Sequence, residues 1–210
     1  MNWKQITLTI LGLILVLFGI NDPMLLIFPM WIFTYLLKNK LILLLNRFPL
    51  PVAFIGAGVF FGLATEVFAI LNNISVPLEQ RILISPDPVL DLIYGFFYYL
   101  LLIFTWYILL RKIKYSKKEV FLITGLFGVF TEEGGQVFLR ILSSPIEGFL
   151  YAIIIMFVYG LFPMLAYLLC EGRFENKQRN LFLKYGFAIV VLFLQWAIYG
   201  IFLLPILKAI

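Results

Sequence analysis

Histidine is absent from the 210 residues, and cysteine occurs once, at Cys170. A chain without imidazole lacks the commonest metal ligand and the side chain that most often acts as a general base near neutral pH. Zinc hydrolysis and Ser-His or Cys-His catalysis are thereby set aside, and no metal and no cofactor are expected. One cysteine forms no intramolecular disulfide. Charge is scarce too: 13% of residues are charged and 63% hydrophobic, with a mean hydropathy of +1.05. Too few polar residues remain to cover a water-soluble domain. No polar stretch approaches the ~50 residues of a separate domain, so residues 1–210 read as a single integral membrane domain. The fold class expected is all-α, a polytopic transmembrane helical bundle.

What the chain has instead is long apolar runs, at about 5–20, 24–37, 50–72, 88–110, 119–142, 146–170 and 182–207, each near the length that spans a bilayer. About seven helices follow. The first two runs are short and joined by the turn signal Asn21-Asp22-Pro23, which reads as a helical hairpin. That junction lacks a small-residue cleavage site, so the first run reads as a retained helix and not a signal peptide.

The basic residues orient the bundle, because positive charge stays on the cytoplasmic side. With the N-terminus inside, the cytoplasmic segments hold Lys4; Lys38, Lys40 and Arg47; Arg111, Lys112, Lys114, Lys117 and Lys118; and Arg173, Lys177, Arg179 and Lys184. Those are thirteen of the sixteen, and only Arg81, Arg140 and Lys208 fall outside. Six spans would scatter the clusters over both sides. The expectation is a cell (inner) membrane protein with its N-terminus cytoplasmic and its C-terminus outside. The net charge of +5 then reflects orientation and contact with anionic lipid, and no nucleic-acid partner is expected.

One stretch is expensive. Phe127–Arg140 places Glu132 and Glu133 inside an apolar run, and at ~1.5 Å per residue from Glu119 the first of them lies roughly 20 Å into a hydrocarbon core ~30 Å thick. An intramembrane carboxylate is a functional-site candidate by default. Glu66 is its counterpart, because Phe61-Gly62-Leu63-Ala64-Thr65-Glu66 matches Phe127-Gly128-Val129-Phe130-Thr131-Glu132 at an offset of 66. Downstream, Pro77-Leu78-Glu79 matches Pro145-Ile146-Glu147 at offset 68, and Tyr94-Gly95 matches Tyr159-Gly160 at offset 65. This order reads as an internal repeat of helix pairs, approximately 50–110 and 119–170, both copies pointing the same way.

The spacing places Gly58, Gly62, Glu66 and Asn73 on one face of the third helix, and Gly128, Glu132, Gln136 and Arg140 on one face of the fifth. Small residues let backbones approach, so these two helices are expected to cross closely, with Gly62 near Gly128 and the two glutamates converging. Two close carboxylates cannot both stay ionised, which reads as a proton or cation site; the alternative is that each is protonated and hydrogen-bonded to a neighbouring helix, serving packing alone. Gly134-Gly135 weakens the fifth helix and predicts a bend or an unwound turn there. The candidate binding residues are Glu66, Glu132, Glu133, Thr65, Thr131, Gln136, Arg140 and Asp91. Within that set a Glu133–Arg140 ion pair near the outer boundary and a purely structural Asp91 are the alternative readings. Glu79 and Glu147 read as first-turn residues that offset a helix dipole. Gln195 and Tyr199 read as interhelical hydrogen-bond formers, and Trp3, Trp31, Trp106 and Trp196 as interfacial anchors.

Pro77-Leu78-Glu79-Gln80 and Pro145-Ile146-Glu147-Gly148 resemble the Pro-x-Glu-Glu element of membrane-embedded lycopene cyclases, each without the second carboxylate. The resemblance covers these few residues and brings no site with it, but it implies an isoprenoid enzyme as one alternative. Three functions stay open. A small transporter or channel would bind a proton or cation between Glu66 and Glu132. An intramembrane enzyme would use carboxylate acid catalysis on a lipid or isoprenoid. A structural or assembly subunit would meet a partner's charges, and oligomer formation stays open with it. A water-filled path, a closed apolar pocket and an exposed polar patch would distinguish the three.

Overall fold

The computed structural model describes residues 3–175, 177 and 180–209, so Arg179 of the basic set lies outside the described residues. The described chain is all-α. Its helices are α1 (Trp3–Gly19), α2 (Ile27–Leu45), α3 (Leu50–Asn73), α4 (Pro88–Lys112), α5 (Lys117–Thr131), α6 (Gln136–Ser143), α7 (Pro145–Cys170), α8 (Leu181–Ile198) and α9 (Leu204–Ala209). They form seven rods, because α5 and α6 are halves of one interrupted helix and a π-helical turn, Tyr199–Leu203, joins α8 to α9. Five segments are long and apolar enough to cross a membrane: Pro23–Leu45, Leu50–Asn73, Pro88–Lys112, Pro145–Arg173 and Leu181–Ala209. At 17 residues α1 is shorter, and the break divides the fifth rod, so helix length supports five of the seven expected spans.

Helix starts follow local chemistry. Asp87 caps α4 through Val89 and Leu90 N–H, with Pro88 in the first turn, where a missing N–H costs nothing. Ser116 and Glu119 form a capping box on α5.

The core gathers where α3, α4 and α7 meet, around Phe54, Leu102, Ile103, Trp106, Leu109, Leu161 and Leu165, all at most 1% exposed. Trp106 therefore belongs to this core, edge-on to Tyr115, and is no interfacial anchor; it lies on the buried face of α4, whose other face leaves Phe104 and Ile108 exposed. The glycines act inside hairpins. A Cβ on Gly58 or Gly62 would stand 2.5 Å from Ile103 or Tyr99 of α4, and one on Gly128 would stand 2.3 Å from Tyr159 of α7. Gly125 and Gly160 press α5 and α7 together backbone to backbone, with Cβ positions 2.7 and 2.6 Å from the carbonyls of Met156 and Phe121. The expected close crossing of α3 and α5, with Gly62 on Gly128, is thus corrected: α3 packs on α4 and α7, and α5 packs on α7. Small residues license a close neighbour without naming it.

The loops that carry most of the basic residues lie at one end of the bundle. Arg173 donates to the Leu45 and Phe48 carbonyls, the Tyr115 hydroxyl to the Lys184 carbonyl, and the Tyr167 hydroxyl to the Tyr115 carbonyl. Lys4 and Lys38 both stack on Tyr35 at this end. At the opposite end Arg81 donates to the carbonyls of Ile74, Val76 and Pro86, tying the two ends of the 74–87 loop together.

Candidate functional site

Beneath that loop lies a cavity of about 510 Å³, within the ~300–1,000 Å³ of small-molecule pockets. Its wall includes Glu66 from α3, Glu132 and Glu133 from the break, and seven aromatic side chains, but no lysine or arginine. Ile82, Leu83 and Ile84 of the loop and Met24 complete its outer end. The packed core around Leu102, Ile103 and Trp106 lies below it, so the cavity is blind toward the basic end.

Each of the two central carboxylates holds a tyrosine. Tyr99 Oη donates to Glu66 Oε2 at 2.5 Å, and Tyr159 Oη donates to Glu132 Oε2. Both pairs are built alike. A glycine one turn before the glutamate, Gly62 or Gly128, seats the root of that same tyrosine, and Thr65 or Thr131 returns its hydroxyl to the carbonyl four residues back at 2.9 Å. The stretch Phe-Gly-x-x-Thr-Glu therefore encodes one local arrangement twice.

The downstream matches do not share roles. Pro77-Leu78-Glu79 forms a 3-10 turn in the loop, whereas Pro145-Ile146-Glu147 opens α7 directly. Tyr159 serves Glu132, but the tyrosine serving Glu66 is Tyr99, and the carbonyl of Tyr94 instead accepts the Tyr199 hydroxyl at 3.0 Å.

Asp91 is fully buried in the first turn of α4. It shares a helix face with Gly95 and Tyr99, one and two turns on, and Gly95 admits the Glu66 carboxyl at 3.4 Å from its Cβ position. Asp91 Oδ1 accepts the Ser85 N–H at 2.9 Å, Oδ2 meets no donor among the described residues, and the Asp91 carboxyl group stands beside that of Glu66. Glu66 thus has a carboxyl neighbour within its own hairpin, as well as Glu132 across the cavity.

At the break, Glu133, Gly134 and Gly135 take φ of 50°, 63° and 91°, a left-handed turn that stops the helix. The bend expected at Gly134-Gly135 is present, and it starts one residue earlier, at a glutamate. Its consequence reaches Gln136 and Arg140, expected on the face of Gly128 and Glu132. The turn rotates α6, so both are exposed and outside the cavity lining, which corrects the single-face reading. Arg140 pairs with Glu133 at 2.6 Å, and Tyr151 Oη donates to Glu133 at 2.8 Å. The floor is aromatic. Tyr98 lies edge-on to Tyr99, Tyr159 and Tyr199, with centroids 5.5, 6.3 and 5.2 Å away, and its buried hydroxyl has no partner among the described residues.

Tyr199 donates between helices as expected, to the Tyr94 carbonyl, but the sequence reading gave Tyr98, Tyr99, Tyr151 and Tyr159 no place in the site. Ten of the eleven in the chain lie in apolar runs, where an amphipathic side chain stands out from nothing. Trp196, expected as an anchor, lines the cavity. Among the described residues no group of three acidic, cysteine or histidine side chains is arranged to hold a metal ion. Against family models, curated proteins and solved structures the chain finds no match.

Proposed function

We propose that this is a small transporter that takes up an organic cation from the face covered by the 74–87 loop. One observation carries the reading: Glu66 and Glu132, each fixed by a tyrosine, line a single aromatic cavity that contains no basic side chain. Carboxylates supply charge, and ring faces add roughly 0.5–2 kcal/mol each to a desolvated ammonium. The cavity far exceeds the size of a bare metal ion. Two helix irregularities abut it, the left-handed turn at Glu133–Gly135 and the π turn at Tyr199, and irregular backbone at membrane depth is sustained where it lines a site. Interrupted helices are also where transporters place their substrates. Asp91 beside Glu66 adds a third carboxyl group at the same end of the bundle.

Two further readings accompany it. The shared Gly, Thr, Glu and Tyr roles support treating α3–α4 and α5–α7 as copies of one hairpin. The clustering of basic loops supports a cytoplasmic location for that end, with the cavity opening outward.

Titration of the full chain in lipid nanodiscs with tetraalkylammonium ions of graded size tests the proposal, read by the fluorescence difference between the chain and its Trp196→Phe variant. Saturable binding with an optimum size is expected, weakened at least about tenfold in Glu66→Gln and in Glu132→Gln. Binding by no ammonium ion, or equal binding in both variants, contradicts it. The blind, aromatic floor favours a second reading, carboxylic acid catalysis on an isoprenoid whose carbocation the rings would stabilise. Conversion of an isoprenoid by the purified chain would establish that reading instead. The carboxylates face an internal cavity and not an exposed patch, which weighs against an assembly subunit.

A further inference from the structure

A second cavity, of about 460 Å³, opens at the opposite end of the bundle, between the ends of α2 and α7 and the start of α5. Three cations, Lys38, Lys117 and Arg173, line it with one acid, Glu171, so its formal charge is positive. Ile42, Leu168 and Leu169 form an apolar wall beside them. Cations above an aliphatic wall, at the level where two spanning helices end, match an amphiphile whose anionic group sits at the membrane boundary.

The cations are placed to receive such a group. The Lys38 ammonium stacks on the Tyr35 ring at 4.8 Å and forms no ion pair among the described residues, so it enters the cavity lining as an uncompensated charge. Arg173 spends two of its five N–H groups on the Leu45 and Phe48 carbonyls, which anchors the guanidinium without neutralising it. Lys117 pairs with Glu171, but both side chains are about two-fifths exposed, and an ion pair that open to solvent contributes little and exchanges readily.

We propose that this cavity binds the phosphate group of an anionic phospholipid, with Lys38, Lys117 and Arg173 around the phosphate and an acyl chain along Ile42, Leu168 and Leu169. Basic pockets between spanning helices are suited to such headgroups, and each cation near the surface is worth about fivefold in binding. The site is separate from the aromatic cavity, and the proposal does not rest on the transport reading.

Native mass spectrometry of the full chain in mild detergent, offered phosphatidylglycerol and phosphatidylcholine together, reads the preference directly. Retention of phosphatidylglycerol by at least about fivefold is expected. Lys38→Gln and Lys117→Gln should each reduce that ratio by about fivefold, and Glu171→Gln should raise it by about as much, a direction that a purely structural ion pair would not produce. Arg173 is avoided because its bonds to α2 make it structural. Inorganic phosphate at millimolar concentration distinguishes the source: no displacement supports the lipid, whereas displacement keeps the phosphate chemistry but overturns the assignment to a lipid. Equal retention of both lipids, or a preference unchanged in Lys38→Gln and Lys117→Gln, overturns the site.

Discussion

A carboxylate out of water needs donors, and Glu66 and Glu132 obtain theirs from tyrosines on the neighbouring helix of the same hairpin. The arrangement fixes each carboxylate at the cavity wall through one of its oxygens. Replacing Tyr99 with phenylalanine deletes one donor and little volume, so Tyr99→Phe is expected to lower stability by roughly 1–3 kcal/mol, read as a lower unfolding temperature in detergent. An unchanged melting curve would mean that the pair contributes nothing to the fold. Glu66→Gln and Glu132→Gln keep the shape and remove the charge. Each is expected to abolish uptake into proteoliposomes while elution on size exclusion stays that of the parent chain, and normal uptake in both variants would leave the carboxylates as packing groups. Both glutamates were legible in the sequence because charge within an apolar run is costly wherever it stands. Their tyrosines were not, since a phenol is at home in lipid, core or cavity alike, and a partner on another helix has no signature in spacing. Asp91 was equally ambiguous: a carboxylate in a first turn serves a cap or a site, and its neighbourhood with Glu66 exists only after α3 and α4 have packed.

Glycines decide how closely the helices approach. Gly160 faces the Phe121 carbonyl, and Gly125 that of Met156, so neither has room for a methyl group without moving backbone. Gly160→Ala is expected to cost roughly 1–3 kcal/mol and to loosen α5 from α7, measured by thermal unfolding and by faster amide exchange along α5. Gly56→Ala, where open space surrounds the new methyl group, is the matched control and should be neutral or slightly stabilising. The existence of close packing was readable from Gly-x-x-x-Gly spacing, but the choice of partner was not, because a small residue fits against any ridge. The break at Glu133–Gly135 was half legible. Paired glycines announce weakness, whereas the left-handed φ of Glu133, whose side chain meets Arg140 and Tyr151, has no signature in the sequence, and that turn carries Gln136 and Arg140 away from the face on which a continuous helix would hold them.

Across the whole molecule, an aromatic cavity with an excess of carboxyl groups lies at one end and a cluster of basic loops at the other, with a packed core between. The apolar runs located the rods to within a few residues, because hydrophobic length is what lipid demands, except that α2 continues to Leu45 past the lysines that ended its run at 37. The weak point of the fifth rod at Gly134-Gly135 and the shortness of the first run were both legible, whereas the start of the break at Glu133 was not. If the basic end is cytoplasmic, then in a Cys170→Ser background Lys118→Cys should stay unlabelled by a membrane-impermeant maleimide in intact cells and Gln80→Cys should be labelled; the reverse pattern would invert the orientation. The central claim is that one organic cation sits between Glu66 and Glu132 on the floor made by Tyr98. A crystal structure of the chain with a bromine-bearing quaternary ammonium ion measures this most directly, through the anomalous signal of the bromine. The account predicts a single strong peak inside the aromatic cavity, lost in Glu66→Gln crystals grown the same way; a cavity without signal at saturating cation, or a peak indifferent to that substitution, would contradict it.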